Sequence, residues 1–299
     1  MNRTPRAVDV TGLHKRYGDK LAVDGLDLHV DEGEIVAVLG PNGAGKTTTV
    51  EVLEGYRHRD SGRVTVLGED PQAAGRAWRA RVGMVLQDVA VGSESTVEEL
   101  VAHYALFYPA PRDPDEVIAA VGLQEKRKSR ARHLSGGQRR RLDVALGVVG
   151  RPELLFLDEP TTGFDPEARH AFWELIAGLR ADGTTILLTT HYLDEAEHLA
   201  DRVVVVTGGH VVAEGSPASL GGAAAHRSRV RWLEDGEPRE VSTDTPTRIV
   251  GDLAARFAAL GHAEVPGLQV LRPSLEDVYL ELVGTAGRSS TADLEEALR

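Results

Sequence analysis

The chain has no cysteine, which excludes disulfides, thiolate metal sites and cysteine nucleophiles. Aromatic residues are scarce at 5%, so an aromatic beside a motif has to be weighed individually. Positive charge is in deficit: 34 Lys and Arg face 46 Asp and Glu, a formal net charge of -12 at pH 7. That balance argues against a strongly electrostatic nucleic-acid binder, because phosphate neutralisation needs clustered cations, although a local basic patch stays possible. No window approaches the run of about 18 apolar residues that a spanning helix needs. The densest runs, such as Val203 to Val206, are strand-sized. Met1 to Arg6 is charged without an apolar segment, so no secretory signal is expected. The expectation is a cytoplasmic chain that does not span a membrane but can dock on a membrane protein. Its 299 residues, 41% of them hydrophobic, leave room for one large domain and a smaller one.

What the chain does carry is Gly40-Pro41-Asn42-Gly43-Ala44-Gly45-Lys46-Thr47, with Thr48 following. This fits the phosphate-loop pattern of two spaced glycines, lysine and Ser or Thr. An apolar run, Glu34 to Leu39, precedes it as a buried strand, and Thr48 to Glu54 reads as the first turns of a helix. Glycines let backbone N–H groups converge on phosphate oxygens, and the helix N-terminus adds its positive end. Lys46 would reach the β- and γ-phosphates, and the Thr47 hydroxyl would complete a Mg²⁺ shell. A glycine-rich turn with an accidental lysine lacks this strand-loop-helix setting. The stretch reads as a nucleoside triphosphate site.

Along the chain, Val8 to Thr11 and Asp24 to Val30 alternate like half-exposed strands. Tyr17 lies between them in a turn, where its ring could stack on a base, though alone it reads as an ordinary packed tyrosine. Gly62 to Leu67 and Val82 to Leu86 read as strands, and Gln87 ends the second. Thr96 to Tyr108 has helical spacing and opens with Thr96 and Glu99 as a capping box. Asp113 to Gly122 is a further helix, with Pro114 in its first turn. The basic run Lys126 to Arg132 reads as a solvated face or a phosphate-proximal patch. Leu134 to Gln138 opens another helix, and Leu154 to Leu157 is an apolar strand ending in Asp158-Glu159. A helix from about Pro166 to Arg180, a strand Thr185 to Thr189 and His191 follow. Strands alternating with helices imply a mostly parallel α/β sheet. Beyond Gly215 the composition shifts. Residues 216–284 are expected to form a small α+β appendage of three strands and two helices, with Gly221 to Ala225 as linker and 285–299 as a mobile tail.

In a parallel sheet the strand C-termini surround the phosphate loop, so Asp158 and Glu159 can both face the nucleotide. Asp158 would hold Mg²⁺ directly or through water, and Glu159 would orient and deprotonate the attacking water. His191, at another strand end, could bridge the γ-phosphate, the water and Glu159. Gln87 could contact Mg²⁺ and the water. Each is weak evidence alone; a solvated strand end or a structural histidine is common. Their convergence on one sheet edge favours the catalytic reading.

Together these residues resemble the ATP-binding subunits of ABC transporters. Leu134-Ser135-Gly136-Gly137-Gln138 is letter for letter that family's LSGGQ signature. The ordered set continues with Tyr17 as A-loop, Gly40 to Thr48 as Walker A, Gln87 as Q-loop and Asp158-Glu159 as Walker B. Gly163 to Asp165 is the D-loop, with Phe164 in place of the usual leucine, and His191 is the switch histidine. The likeness covers about Val8 to Gly215. It implies a P-loop NTPase fold: a RecA-like parallel core, an antiparallel β-subdomain and a helical subdomain over about 88–150. It also implies ATP and Mg²⁺ as cofactors, and a head-to-tail homodimer enclosing two ATP molecules. Ser135 and Gly137 of one copy would complete the γ-phosphate cage of the other. Glu54-Gly55-Tyr56-Arg57 and Ser274 to Tyr279 are similar to the ATPases of ABC-2-type exporters, including the daunorubicin-resistance type. The expected partners are therefore a second copy and a separate transmembrane permease, with no nucleic acid. The alternative is a soluble ABC ATPase acting on nucleic acid or ribosomes. Relatives of that kind carry a coiled coil between phosphate loop and signature, or two ATPase halves, and neither is present here.

Overall fold

The computed structural model describes residues 5–85, 94–225 and 227–284. Gln87 and the tail 285–299 thus lie outside the described residues. The chain forms two compact units, Met1–Val212 and Ala213–Arg299, so the division falls slightly before Gly215.

The first unit contains two sheets. Strands β1 (Arg6–Tyr17) and β2 (Lys20–Asp31) are longer than their alternation suggests. Register shifts between Val10 and Leu13, and again before Lys15 and Arg16, break the period and hide the second half of β1 in the sequence. Tyr17 is consequently the last residue of β1 and not part of a turn. After β3 (Ile35–Leu39) and α1 (Lys46–Leu53) comes β4 (Ser61–Val66), which pairs antiparallel with β1 in a sheet of order β2-β1-β4. A short helix α2 (Arg76–Arg79) buries Trp78, whose indole N–H donates to the Val66 carbonyl at 2.9 Å. It leads into β5 (Val82–Val85).

Helices α3 (Val97–Ala105), α4 (Pro114–Ala120) and α5 (Gly136–Val148) follow. Thr96 and Glu99 form the expected capping box of α3. A second box lies inside the LSGGQ stretch: Gln138 N–H donates to Ser135 Oγ at 3.3 Å, and Ser135 N–H to Gln138 Oε1 at 3.1 Å. Such a cap contributes about 1 kcal/mol and fixes the chain direction entering α5. The basic run before it is stitched into this subdomain. Arg127 pairs with Glu98 and Asp115, and Arg130 and Arg132 both pair with Glu94.

The remaining elements of the unit are β6 (Leu154–Asp158), α6 (Pro166–Ala181), β7 (Thr185–Thr189), α7 (Leu193–Leu199), β8 (Arg202–Thr207) and β9 (His210–Gly215), which crosses into the next unit. The large sheet has order β5-β6-β7-β3-β8-β9, and its first five strands are parallel. Every residue of β3, β6 and β7 is buried, as expected of a parallel sheet covered on both faces. Each fully buried Leu or Val there contributes about 1.5–3 kcal/mol. The consequence for chemistry lies in the strand order. With β3 beside β7 and β7 beside β6, the segments leaving their C-terminal ends emerge side by side. In register, Val38 and Asp158 both lie opposite Thr189.

In the second unit, Gly222–Ala225 forms a short helix α8, where composition suggested a linker. Strands β10 (Ser228–Glu234), β11 (Glu237–Thr243) and β12 (Gln269–Leu271) form an antiparallel sheet of order β11-β10-β12. Helix α9 (Pro246–Ala259) packs Leu253 and Phe257 on Val230 of β10. A helix over 275–284 closes the described chain.

Candidate functional site

The loop after β3 and the start of α1 line an open cleft of about 460 Å³, together with Tyr17, Lys20, Ala22 and Glu159. Asn42 to Thr48 all contribute to its wall. Glycine is required at two positions for steric reasons. Gly45 sits at φ 100°, and a Cβ there would lie 2.4 Å from the Ala22 carbonyl oxygen. At Gly40 a Cβ would meet the Val206 carbonyl oxygen at 2.2 Å. Gly45 is also the residue that starts α1, with no side-chain cap, so the first backbone N–H groups of the helix are left for an anion. Lys46 is buried and folds back on the loop, donating to the carbonyls of Gly40 at 2.7 Å and Pro41 at 3.2 Å. Burial lowers its pKa, while the Glu159 and Asp158 carboxylates work in the opposite direction. A desolvated ammonium resting on carbonyls, beside a glycine cradle and a free helix start, is the donor set a polyphosphate needs.

The acids come from β6. Asp158 is buried at the strand end, and the Thr189 hydroxyl of β7 donates to its Oδ1. Thr189 also receives the Glu159 N–H, on its carbonyl at 3.0 Å and on its hydroxyl oxygen at 3.2 Å. One threonine therefore holds both acidic residues. Glu159 has φ 45°, a left-handed conformation that costs a non-glycine residue free energy and needs an over-determined surrounding. That twist turns its side chain into the cleft. His191 Nδ1 stands 3.4 Å from Glu159 Oε2. Next to it, the Tyr192 ring is covered by Arg169 of α6 at 4.5 Å, and Arg169 pairs with Asp194 at 2.9 Å. Asp165 caps α6 by accepting the Ala168 N–H at 2.8 Å, and Gly163 has φ 81°.

The cleft thus gathers Tyr17, the loop from Asn42 to Thr48, and Glu159, with His191 against Glu159. It does not gather Leu134 to Gln138, which lie outside its wall; Ser135 and Gly136 are exposed at the start of α5. Besides Thr189, two contributors escaped the sequence reading. Lys20 lines the cleft, with its Nζ within 4.0 Å of where a Cβ on Gly43 would stand. Arg140 of α5 is buried and donates to the carbonyls of Pro160 at 2.9 Å and Asp158 at 2.8 Å. It ties the helix of the LSGGQ stretch to the acidic strand end. Neither residue type is distinctive at its position, and Arg140 acts on backbone that carries no sequence signal.

Glu54, the residue that ends α1, lies buried near Asp158. Burial, then the carboxylates of Asp158 and Glu51, raise its pKa to about 8. The native state therefore keeps a proton that the unfolded chain releases above about 4.5. Stability contributed here is full below that value and is lost as pH rises to about 8. Glu54→Gln should flatten this decline and stabilise the chain by several kcal/mol at pH 8. Urea unfolding without nucleotide or magnesium checks it; an unchanged pH slope would refute the burial argument.

Parallel sheet, phosphate loop and paired acids define a P-loop nucleoside triphosphatase with an α/β core. The model of the ABC transporter family matches residues 23–162. The chain is 38% identical to daunorubicin resistance ATP-binding protein DrrA3 of Streptomyces coeruleorubidus, covering 96% of this chain and 98% of that protein. It is 40% identical to Nod factor export ATP-binding protein I of Rhizobium sp. (strain N33), over 93% and 97% respectively. Among solved structures, the ADP conformation of MJ1267, an ATP-binding cassette of an ABC transporter, matches at TM-score 0.63 and 25% identity, covering 71% of this chain and 92% of that one. An ATP-binding subunit of an ABC transporter covers 92% of this chain at TM-score 0.67 and 24% identity, a likeness of fold. The chain belongs to the ABC transporter ATP-binding family, and it is a nucleotide-binding ATPase subunit of a transporter.

Proposed function

We propose that this ATPase powers an exporter, by drug efflux, as a head-to-tail homodimer coupled to a separate ABC-2-type membrane permease. The observation that carries the dimer is the position of the LSGGQ stretch. Ser135 is exposed at a capped helix start, away from the cleft of its own chain. In the dimer Leu134 to Gln138 of one copy face the phosphate loop of the other, where Ser135 and Gly137 donate to the γ-phosphate. The names of the relatives, daunorubicin resistance proteins and Nod factor export proteins, support export as the direction. No described helix is long and apolar enough to cross a membrane. In this reading the pore belongs to another polypeptide, and the chain works peripherally on the cytoplasmic side of the cell membrane. Leu106 and Phe107, 80% and 64% exposed after α3, offer an apolar surface to that permease.

Within the site, Gly40 to Thr48 and Lys46 hold the phosphates, and Tyr17 stacks on the base. The Thr47 hydroxyl and the Asp158 carboxylate fit Mg²⁺, which prefers oxygen ligands and takes the rest from phosphates and water; Gln87 is assigned beside them. Bound with ATP, Mg²⁺ would supply positive charge against the phosphate oxygens. Glu159 accepts the proton of the attacking water at Oε2, and His191 Nδ1 holds that carboxylate in place. Gly163 and Asp165 set the loop that follows. Tyr17→Ala should weaken ATP binding by about 1–3 kcal/mol without altering its Mg²⁺ dependence, as read by calorimetry; unchanged affinity would remove the base contact.

Capture of tagged Glu159→Gln from detergent-solubilised native membranes with Mg·ATP tests the transport reading. Co-purification of a polytopic membrane protein supports it. Recovery of ribosomes or nucleic acid would move the assignment to a soluble ATPase, which the acidic net charge and ion-paired basic run disfavour.

A further inference from the structure

Two cations stand over the Tyr17 ring. The Arg57 guanidinium carbon is 5.2 Å from its centroid, and Lys15 Nζ is 5.6 Å away. Neither lines the cleft that Tyr17 itself lines. Each is anchored by its own carboxylate. Arg57 donates from Nε and Nη2 to Glu51 at 2.5 and 3.1 Å, and Lys15 donates to Asp60 at 2.8 Å. The backbone adds to the first anchor: the Arg57 N–H donates to the Glu51 carbonyl at 2.9 Å. Glu51 belongs to α1, the helix whose first residues are Lys46 and Thr47. A continuous chain of contacts therefore runs from the phosphate-binding helix, through Glu51 and Arg57, to the aromatic ring that lines the same cleft.

We propose that Arg57 is a positioning residue for the base: fixed on α1 by Glu51, it holds the Tyr17 ring at the wall of the cleft, so that a single helix sets both phosphate and base recognition. The inference rests on reading Tyr17 as the base-stacking residue. A cation over an aromatic ring is attracted by its negative face, and the same ring lines the cleft, where it can stack on a purine. The bidentate anchor matters because an unrestrained arginine would lose that geometry among its rotamers. Burial of the ring is incomplete, at 39% exposure, so without a support behind it the side chain would sample other rotamers. Arg57 touches no phosphate in this account; its effect passes through Tyr17.

Calorimetric titration of the full-length chain with Mg·ATP and with Mg·tripolyphosphate tests this, because tripolyphosphate carries the phosphates without the base. Arg57→Met keeps the apolar stem and removes the charge. It should weaken ATP binding about twofold to fivefold and leave tripolyphosphate binding unchanged, which also reports an intact fold. Arg57→Lys should recover part of the loss, and Glu51→Gln should weaken ATP in the same direction. Added to Tyr17→Ala, Arg57→Met should cause no further loss. Equal weakening toward tripolyphosphate, an undiminished effect on the Tyr17→Ala background, or no effect on ATP would each overturn the proposal. If Tyr17→Ala alone spares ATP binding, the base-stacking reading falls first and this inference with it. A Tyr17→Ala effect without an Arg57→Met effect sinks the inference alone.

Discussion

Glu159→Gln should bind Mg·ATP at least as tightly as the native chain and turn it over about a hundredfold to ten-thousandfold more slowly, the range a general base supplies. The substitution keeps size and shape, so the constraints on this residue survive it. The Glu159 N–H still reaches Thr189, a backbone contact made with the residue at φ 45° and independent of the carboxylate. What disappears is the proton acceptor beside His191 Nδ1. A negative charge also leaves a site that takes a triphosphate, which favours binding. Single-turnover hydrolysis and equilibrium binding, measured on the same preparation, separate the two effects. Rapid turnover by this variant would remove Glu159 from its role.

Lys46→Ala should do the reverse and act on binding first. A charge-assisted hydrogen bond contributes about 1.5–3 kcal/mol, so ATP affinity should fall about tenfold to a hundredfold. The loss should be largest for ATP, smaller for ADP and small for AMP, because the ammonium serves the outer phosphates. Lys46 is buried, and its ammonium donates to two loop carbonyls. Its pKa is depressed by that burial, against the pull of the Glu159 and Asp158 carboxylates, and the polyphosphate adds further negative charge beside it. Alanine is a good helix former and Gly45 remains to start α1, so the fold should persist. Equal affinity loss for AMP and ATP would contradict the assignment, pointing to collapse of the loop rather than to a missing phosphate contact.

Local chemistry accounts for what could be read in advance. Phosphate recognition needs glycine at fixed spacing because of backbone approach, and the 2.2 Å and 2.4 Å clashes at Gly40 and Gly45 express that need in space. Buried parallel strands need continuous apolar runs, so β3, β6 and β7 stood out. What stayed hidden depends on long-range packing. The order β5-β6-β7-β3-β8-β9, which brings Asp158, Thr189 and the phosphate loop together, follows from packing and is not written in any one segment. The second half of β1 was masked by its bulges, and with it the strand position of Tyr17. Short elements, α2, α7 and β9, are too brief for a periodic signal. Thr189 and Arg140 organise the acids through backbone and hydroxyl contacts, which an ordinary threonine or arginine does not advertise.

In the proposed dimer one copy lacks a complete site and a second copy supplies Ser135 and Gly137. Sedimentation of Glu159→Gln with and without Mg·ATP tests it most directly. The chain should be monomeric without nucleotide and dimeric with it, and Ser135→Arg should abolish the dimers while ATP binding persists. A Glu159→Gln chain that stays monomeric when saturated with ATP, or dimers indifferent to Ser135→Arg, would contradict it.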